Sequence, residues 1–160
     1  MAMRSWTDEV ARANLEARQP VLFIPAAPPT SVAWDRWVET FESAGYTALT
    51  PAWPSEGAAD LSSGPVARAA AHFAQIARAL SSRPAVVGHA FGGRVGLALA
   101  LDGLSAATVA IAPRPTARAL LVEPDAPHDE RGPMLVIDAV EDPFECATAL
   151  RALAFIQRFV

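Results

Sequence analysis

Gly88-His89-Ala90-Phe91-Gly92 follows the short apolar run AVV and precedes a helical pattern, which is the spacing of a sharp turn built to present one reactive side chain. In a G-x-S-x-G arrangement a strand feeds such a turn, and the serine at its apex is exposed where a histidine can deprotonate it for attack on an acyl carbon. Position 90 is alanine. The methyl group of Ala90 supplies no nucleophile. The flanking Gly88 and Gly92 still permit a tight bend, and a helix opening at Phe91 offers backbone N–H donors to an anion or a carbonyl oxygen. A purely steric reason for the glycines, close packing of strand against helix, is the competing expectation.

Acyl transfer also needs a proton acceptor, and the chain has three histidines. His128 sits in PDAPHDERGP, just before the run MLVID, at the end where such a strand begins, whereas a site of this kind lies beyond the carboxyl ends of strands. It is therefore a remote candidate base and otherwise a loop residue. His89 adjoins the turn and is a candidate ligand contact, with a packing or hydrogen-bonding role as the alternative. His72 lies among alanines on a helical pattern, where solvent or a helix seam is expected. Asp142 in DAVEDP is a candidate acid, or the N-cap of a helix starting near Phe144. Trp34, Trp53 and Phe91 could wall a small apolar pocket over the strand ends. Trp34 shares a helical stripe with Trp37 and Phe41, so core packing competes there, while Trp53 in PAWP occupies a loop-like position.

Other chemistries find no pattern. A single cysteine, Cys146, and histidines far apart in sequence make no metal-ligand spacing, so metal: none is expected. Neither G-x-G-x-x-G nor a P-loop is present, and no cofactor is expected.

The residues at the turn require elements to hold them, and short β-rich runs alternate with helical patterns along the chain. VLFI at 21–24 precedes a helix in which Trp34, Trp37, Val38 and Phe41 recur at i, i+3, i+4 and i+7, with Gly45 at its stop. TALT at 47–50 follows, then a helix marked by Val66, Ala70, Phe73, Ile76 and Leu80. AVV at 85–87, a helix from Phe91 to Leu101, the runs 107–112 and 134–138, and a helix from Phe144 to Phe159 complete the series. Such alternation predicts an α/β fold, a parallel sheet covered by helices on both faces. Periodicity leaves the strand order open between flavodoxin-like and Rossmann arrangements.

At 160 residues and 52% hydrophobic composition, the chain 1–160 reads as one domain able to bury roughly 70% of its unfolded surface. Net charge −4 with scattered arginines argues against a nucleic-acid or anionic-membrane surface. One cysteine suits a reducing compartment. The first twenty residues lack the apolar core of a signal peptide, and no apolar run is long enough to span a bilayer, so a cytoplasmic location is expected.

Four stretches carry a family resemblance: VLFIPAAPPTSVAWDRWVETFESAGYTALTPAWP, RPAVVGHAFGG, VAIAPRP and GPMLVIDAVEDP. From the first strand nearly to the end the chain resembles the α/β-hydrolases, in particular bacterial serine hydrolases with a G-H-S-F-G-G elbow. The resemblance implies a three-layer sandwich with a parallel five-stranded sheet in the order 2-1-3-4-5. It places Ala90 at the nucleophile position, Phe91 and Ala27 as the backbone donors of the oxyanion hole, and Asp142 at the triad acid. Besides the alanine at position 90, the chain departs from the family in that the antiparallel strands relatives place before the first parallel strand have no obvious counterpart, and in three further places. Pro25-Ala26 replaces the usual His-Gly beside Ala27, only the 20 residues from Arg114 to Pro133 stand where relatives carry a lid, and the 18 residues after Asp142 contain no histidine. What it resembles is a truncated α/β-hydrolase core.

Three functions fit these residues. A hydrolase-like protein without hydrolytic activity would bind a small apolar or carbonyl-containing ligand, or a partner, and Ala90→Ser would not restore turnover. In serine proteases, loss of the triad leaves roughly 10³ to 10⁴-fold acceleration over water, too little for a working esterase. A serine hydrolase carrying a serine-to-alanine change, or completed by another chain, would regain turnover with Ala90→Ser. A non-hydrolytic lyase or cyclase would use the pocket without a covalent step. With five strands, the second and fifth become sheet edges whose open backbone groups call for cover. A homodimer or a partner chain held through the fifth strand and the terminal helix, with Leu150, Leu153, Ala154 and Phe159, is expected. An N-terminal helix over an edge is the alternative.

Overall fold

The computed structural model describes residues 5–25, 34–52, 65–111, 132–137 and 146–160. Five short apolar runs form strands: β1 (Pro20–Ile24), β2 (Thr47–Leu49), β3 (Ala85–His89), β4 (Ala107–Ile111) and β5 (Met134–Ile137). Between and around them lie α1 (Trp6–Glu16), α2 (Asp35–Ser43), α3 (Pro65–Ala79), α4 (Phe91–Leu101) and α5 (Cys146–Gln157). All strands pair in parallel in the order β2-β1-β3-β4-β5. This is the order the resemblance implied and that periodicity alone left open.

Strand side chains alternate between two cores, as a period of two requires. Val21, Phe23, Val87, Val109 and Ile111 point to one face, where they meet Trp37 and Phe41 of α2 and Ala149, Ala152 and Ile156 of α5. Leu22, Ile24 and Val86 point to the other, against Val10 and Ala13 of α1, Phe73 and Ile76 of α3, and Val95 and Leu99 of α4. Phe23, Trp37 and Phe41 are fully buried; Phe23 meets Phe41 edge to face at 5.4 Å and Trp37 at 6.2 Å, while Trp37 and Phe41 stack on each other at 6.3 Å, geometries favoured by the ring quadrupoles.

Two boundaries differ from the sequence reading in ways that matter for the site. β3 runs on through Gly88 and His89, pairing Gly88 with Ala110 and His89 with Ile111; glycine is a poor strand former, so local preference stops the strand too early. α2 begins at Asp35, with Trp34 at its N-cap position. TALT shortens to 47–49, and the terminal helix ends at Gln157.

α1 finishes one margin of the sheet. Thr47 donates its N–H to the Gln19 carbonyl at 3.0 Å, so Thr47 and Leu49 face β1, and alternation turns the peptide groups of Ala48 and Thr50 outward. Arg12 Nη2 donates to the Ala48 carbonyl at 2.7 Å, and the Thr50 N–H donates to Glu9 Oε1 at 3.4 Å. Thr47 Oγ1 adds a bond to Glu16 Oε2 at 2.7 Å, which with the Arg12 charge lowers the Glu16 pKa against a smaller opposing effect of burial. The N-terminal helix is thus the cover of the β2 edge.

Candidate functional site

Ala90 sits between the last residue of β3 and the first of α4 with φ 52° and ψ −117°. Of the described residues other than glycine, only Ala17 shares a positive φ. Side chains avoid this region because Cβ crowds the backbone, at a cost of order 1–3 kcal/mol, so the surroundings must hold Ala90 there. The Ala90 N–H donates to the Ile111 carbonyl at the end of β4 at 2.8 Å, and the Ala90 carbonyl accepts from Gly93 and Arg94 at 3.0 and 3.3 Å. One bond ties the apex to the sheet, the others to the helix.

The flanking glycines are required by contact. A Cβ on Gly88 would strike the Gly92 carbonyl and come 2.8 Å from Gly93 Cα, and one on Gly92 would strike the carbonyl oxygens of Ile24 and Pro25. The steric expectation for the glycines therefore holds, and it is this close approach that permits the tight bend. Gly96, a turn further on, would bring a Cβ 3.2 Å from Val86 Cγ1, which keeps α4 close against β3.

Ala90 is half-buried, so the apex reaches the surface. Phe91 opens α4, and its amide belongs to the first turn, where N–H groups point out along the axis and the helix dipole is positive. Its ring packs on the core shared by α1, α3 and α4, with the Arg94 guanidinium 5.4 Å from the ring centroid. His89, half-buried beside the apex, has its pKa lowered by burial, which disfavours the charged ring. Its imidazole is neutral near pH 7.

The remaining candidates divide. Trp34 belongs to the core: it is 6% exposed, 5.1 Å from the Phe23 ring and 5.4 Å from that of Trp37. His72 is held by a contact of its Nε2 with the Ala52 carbonyl at 3.3 Å. Ala27, Trp53, His128 and Asp142 lie outside the described residues. The structure therefore brings together Ala90, Phe91 and His89, and the sequence reading missed Ile111, whose carbonyl anchors the apex across twenty-one positions of chain. Only the strand register, visible as the parallel run 107–111, could have pointed to it. A separate cavity of about 320 Å³, lined by Asn14, Arg18, Gln19 and Ser81 among others, opens where β1 begins, at the opposite end of the sheet.

Among the described residues no group of three or more His, Cys, Asp or Glu could hold a metal, and no helix is long and apolar enough to cross a membrane.

Residues 21–159 match the alpha/beta hydrolase family. The fold is similar to the thioesterase domain from the curacin biosynthetic pathway (TM-score 0.51, 16% identity, 60% of this chain and 37% of that one). It is also similar to epoxide hydrolase A from Mycobacterium thermoresistibile (TM-score 0.53, 19% identity, 67% and 39%). A protein of unknown function from Agrobacterium tumefaciens, classed with the α/β-hydrolases, matches over 88% of this chain and 68% of its own (TM-score 0.51, 17% identity). The chain spans less than two-fifths of the thioesterase domain and of the epoxide hydrolase. A comparison with curated proteins finds none that matches.

Proposed function

The chain belongs to the α/β-hydrolase family, and on that premise we propose that its elbow binds a small carbonyl-containing ligand with an apolar body and does not hydrolyse it. The observation that carries this reading is the backbone of Ala90. It keeps φ 52° and ψ −117° at the apex, although its side chain ends at a methyl group. Covalent acyl transfer begins with a side-chain oxygen or sulfur at this point, and alanine has neither.

The rest of the turn retains features useful for binding. First-turn amides at Phe91 face the positive end of α4, where a ligand oxygen carrying partial negative charge is stabilised. A methyl group at the apex presents an apolar contact where a nucleophile would otherwise demand a hydrogen-bond partner.

The test pairs binding with turnover. Calorimetric titration with medium-chain aldehydes and carboxylates is expected to give saturable binding that Ala90→Phe abolishes while the far-ultraviolet spectrum stays unchanged. The protein and its Ala90→Ser variant are both expected to leave a panel of p-nitrophenyl esters intact. Because the apex conformation is the one in which a serine hydroxyl would be presented, a second reading exists: a serine hydrolase with alanine exchanged for its nucleophile. Ester turnover by Ala90→Ser selects that reading and ends the first.

A further inference from the structure

The two margins of the sheet are treated differently. At β2 the outward Ala48 carbonyl accepts from Arg12 and the Thr50 N–H donates to Glu9, both of α1. At β5, Thr108 pairs with Met134 and donates its N–H to the Pro133 carbonyl at 2.9 Å. Pro133 and Leu135 therefore turn their peptide groups towards β4, and alternation directs those of Met134 and Val136 outward. Neither has a hydrogen-bond partner on that side among the described residues. β5 is also the strand whose side chains are least covered, with Met134, Leu135 and Val136 half-buried while every residue of β1 and β4 is buried.

Such a margin fixes the chemistry of its occupant: only another extended backbone offers N–H and C=O groups at the right repeat. We infer that β5 pairs antiparallel with β5 of a second copy of this chain, making one continuous sheet across a twofold axis. Self-complementarity favours a copy over a foreign strand. With the axis beside Leu135, Met134 stands opposite Val136 of the second copy, and each such pair exchanges both N–H···O=C bonds, so every outward group is answered. The two Leu135 side chains then meet on the face where Leu135 already packs against the α2–α5 core. Charge does not oppose the contact, because Met134-Leu135-Val136-Ile137 carries none, whatever the chain's net −4. The strand also lacks the lysine, inward charge or internal proline with which edges are kept apart.

Leu153 of α5 is buried in its own chain, and Leu150 and Phe159 are the large apolar residues of this segment left exposed, at 52% and 48%. The strand, not the helix, carries the contact.

Sedimentation of the 160-residue chain across the micromolar range is expected to show a species of twice the 16.9 kDa mass growing with concentration. Hydrogen exchange by NMR supplies the fingerprint: the Met134 and Val136 amides gain protection as the dimer forms, whereas those of Leu135 and Ile137, bonded to β4, are protected throughout. Val136→Pro removes an outward donor and leaves the β4 ladder intact, so a folded variant is expected to be monomeric. A chain that stays monomeric at high micromolar concentration overturns the inference. So does a dimer whose Met134 and Val136 amides exchange at the same rate at every concentration, or a folded Val136→Pro variant that still dimerises. If that variant fails to fold, the exchange pattern of the unaltered chain decides alone.

Discussion

At the scale of single residues, the backbone of Ala90 and the ring of His89 carry measurable energy. A positive φ is tolerated by glycine and resisted by alanine, so Ala90→Gly relieves crowding while loosening the unfolded chain. The balance is expected to stabilise the protein by about 1 kcal/mol, read as a higher denaturant midpoint with unchanged slope. His89 has its pKa depressed below the ordinary 6.5 by burial. In the interval below 6.5 the unfolded chain binds the proton and the folded one does not, so stability rises with pH there. The contribution of His89 is complete above the unfolded value and is lost as pH falls through it toward the folded value. Denaturant midpoints between pH 5 and 8 are expected to show that slope, and His89→Gln to flatten it.

At the scale of elements, the turn between β3 and α4 depends on how near three backbones come, and the β2 edge on how far α1 reaches. Gly92→Ala places a methyl group against the carbonyls of Ile24 and Pro25, which belong to rigid backbone. A loss of about 3 kcal/mol is expected, measured by chemical denaturation, because neither β1 nor α4 can give way without opening the core. Arg12→Ala removes the donor to Ala48 and two ion pairs near the surface, to Glu16 at 3.4 Å and to the half-buried Glu42 at 3.5 Å. Surface pairs contribute little, so the expected loss is about 1 kcal/mol, dominated by the stranded carbonyl. Concentration-dependent aggregation in light scattering is expected from the same variant, since it reopens an edge. This role of α1 is not legible from its own pattern: the Arg12–Ala48 bond links positions thirty-six apart, and nothing in a helical stripe says which strand it will flank. The strand-and-helix alternation was legible, because burial on both faces of a sheet imposes uninterrupted apolar runs. Trp34 shows the limit of such patterns. A helical stripe and a pocket wall call for the same aromatic residue, and only the contact with Phe23 separates them.

At the scale of the whole molecule, one sheet separates two cores, and β1, β2 and β3 send side chains into both. Phe41→Ala on the α2–α5 side and Phe73→Ala on the α1–α3–α4 side each empty a fully buried site and are expected to cost about 3–5 kcal/mol. Because the cores share β1, β2 and β3, each variant is expected to lower a single unfolding transition. Tryptophan fluorescence, to which Trp34 and Trp37 of one core and Trp6 beside the other contribute, and circular dichroism should then give one midpoint. Two separated midpoints would show that the faces unfold independently. By itself the amino-acid order determined the atoms available to chemistry, an apex without oxygen or sulfur, and the layered class of fold, since both follow from residue identity and short-range period. Tertiary structure decided whether that apex stays bent and which margin of the sheet is finished. Both rest on backbone groups from distant segments, the carbonyls of Ile24, Ala48 and Ile111, whose positions no local pattern encodes.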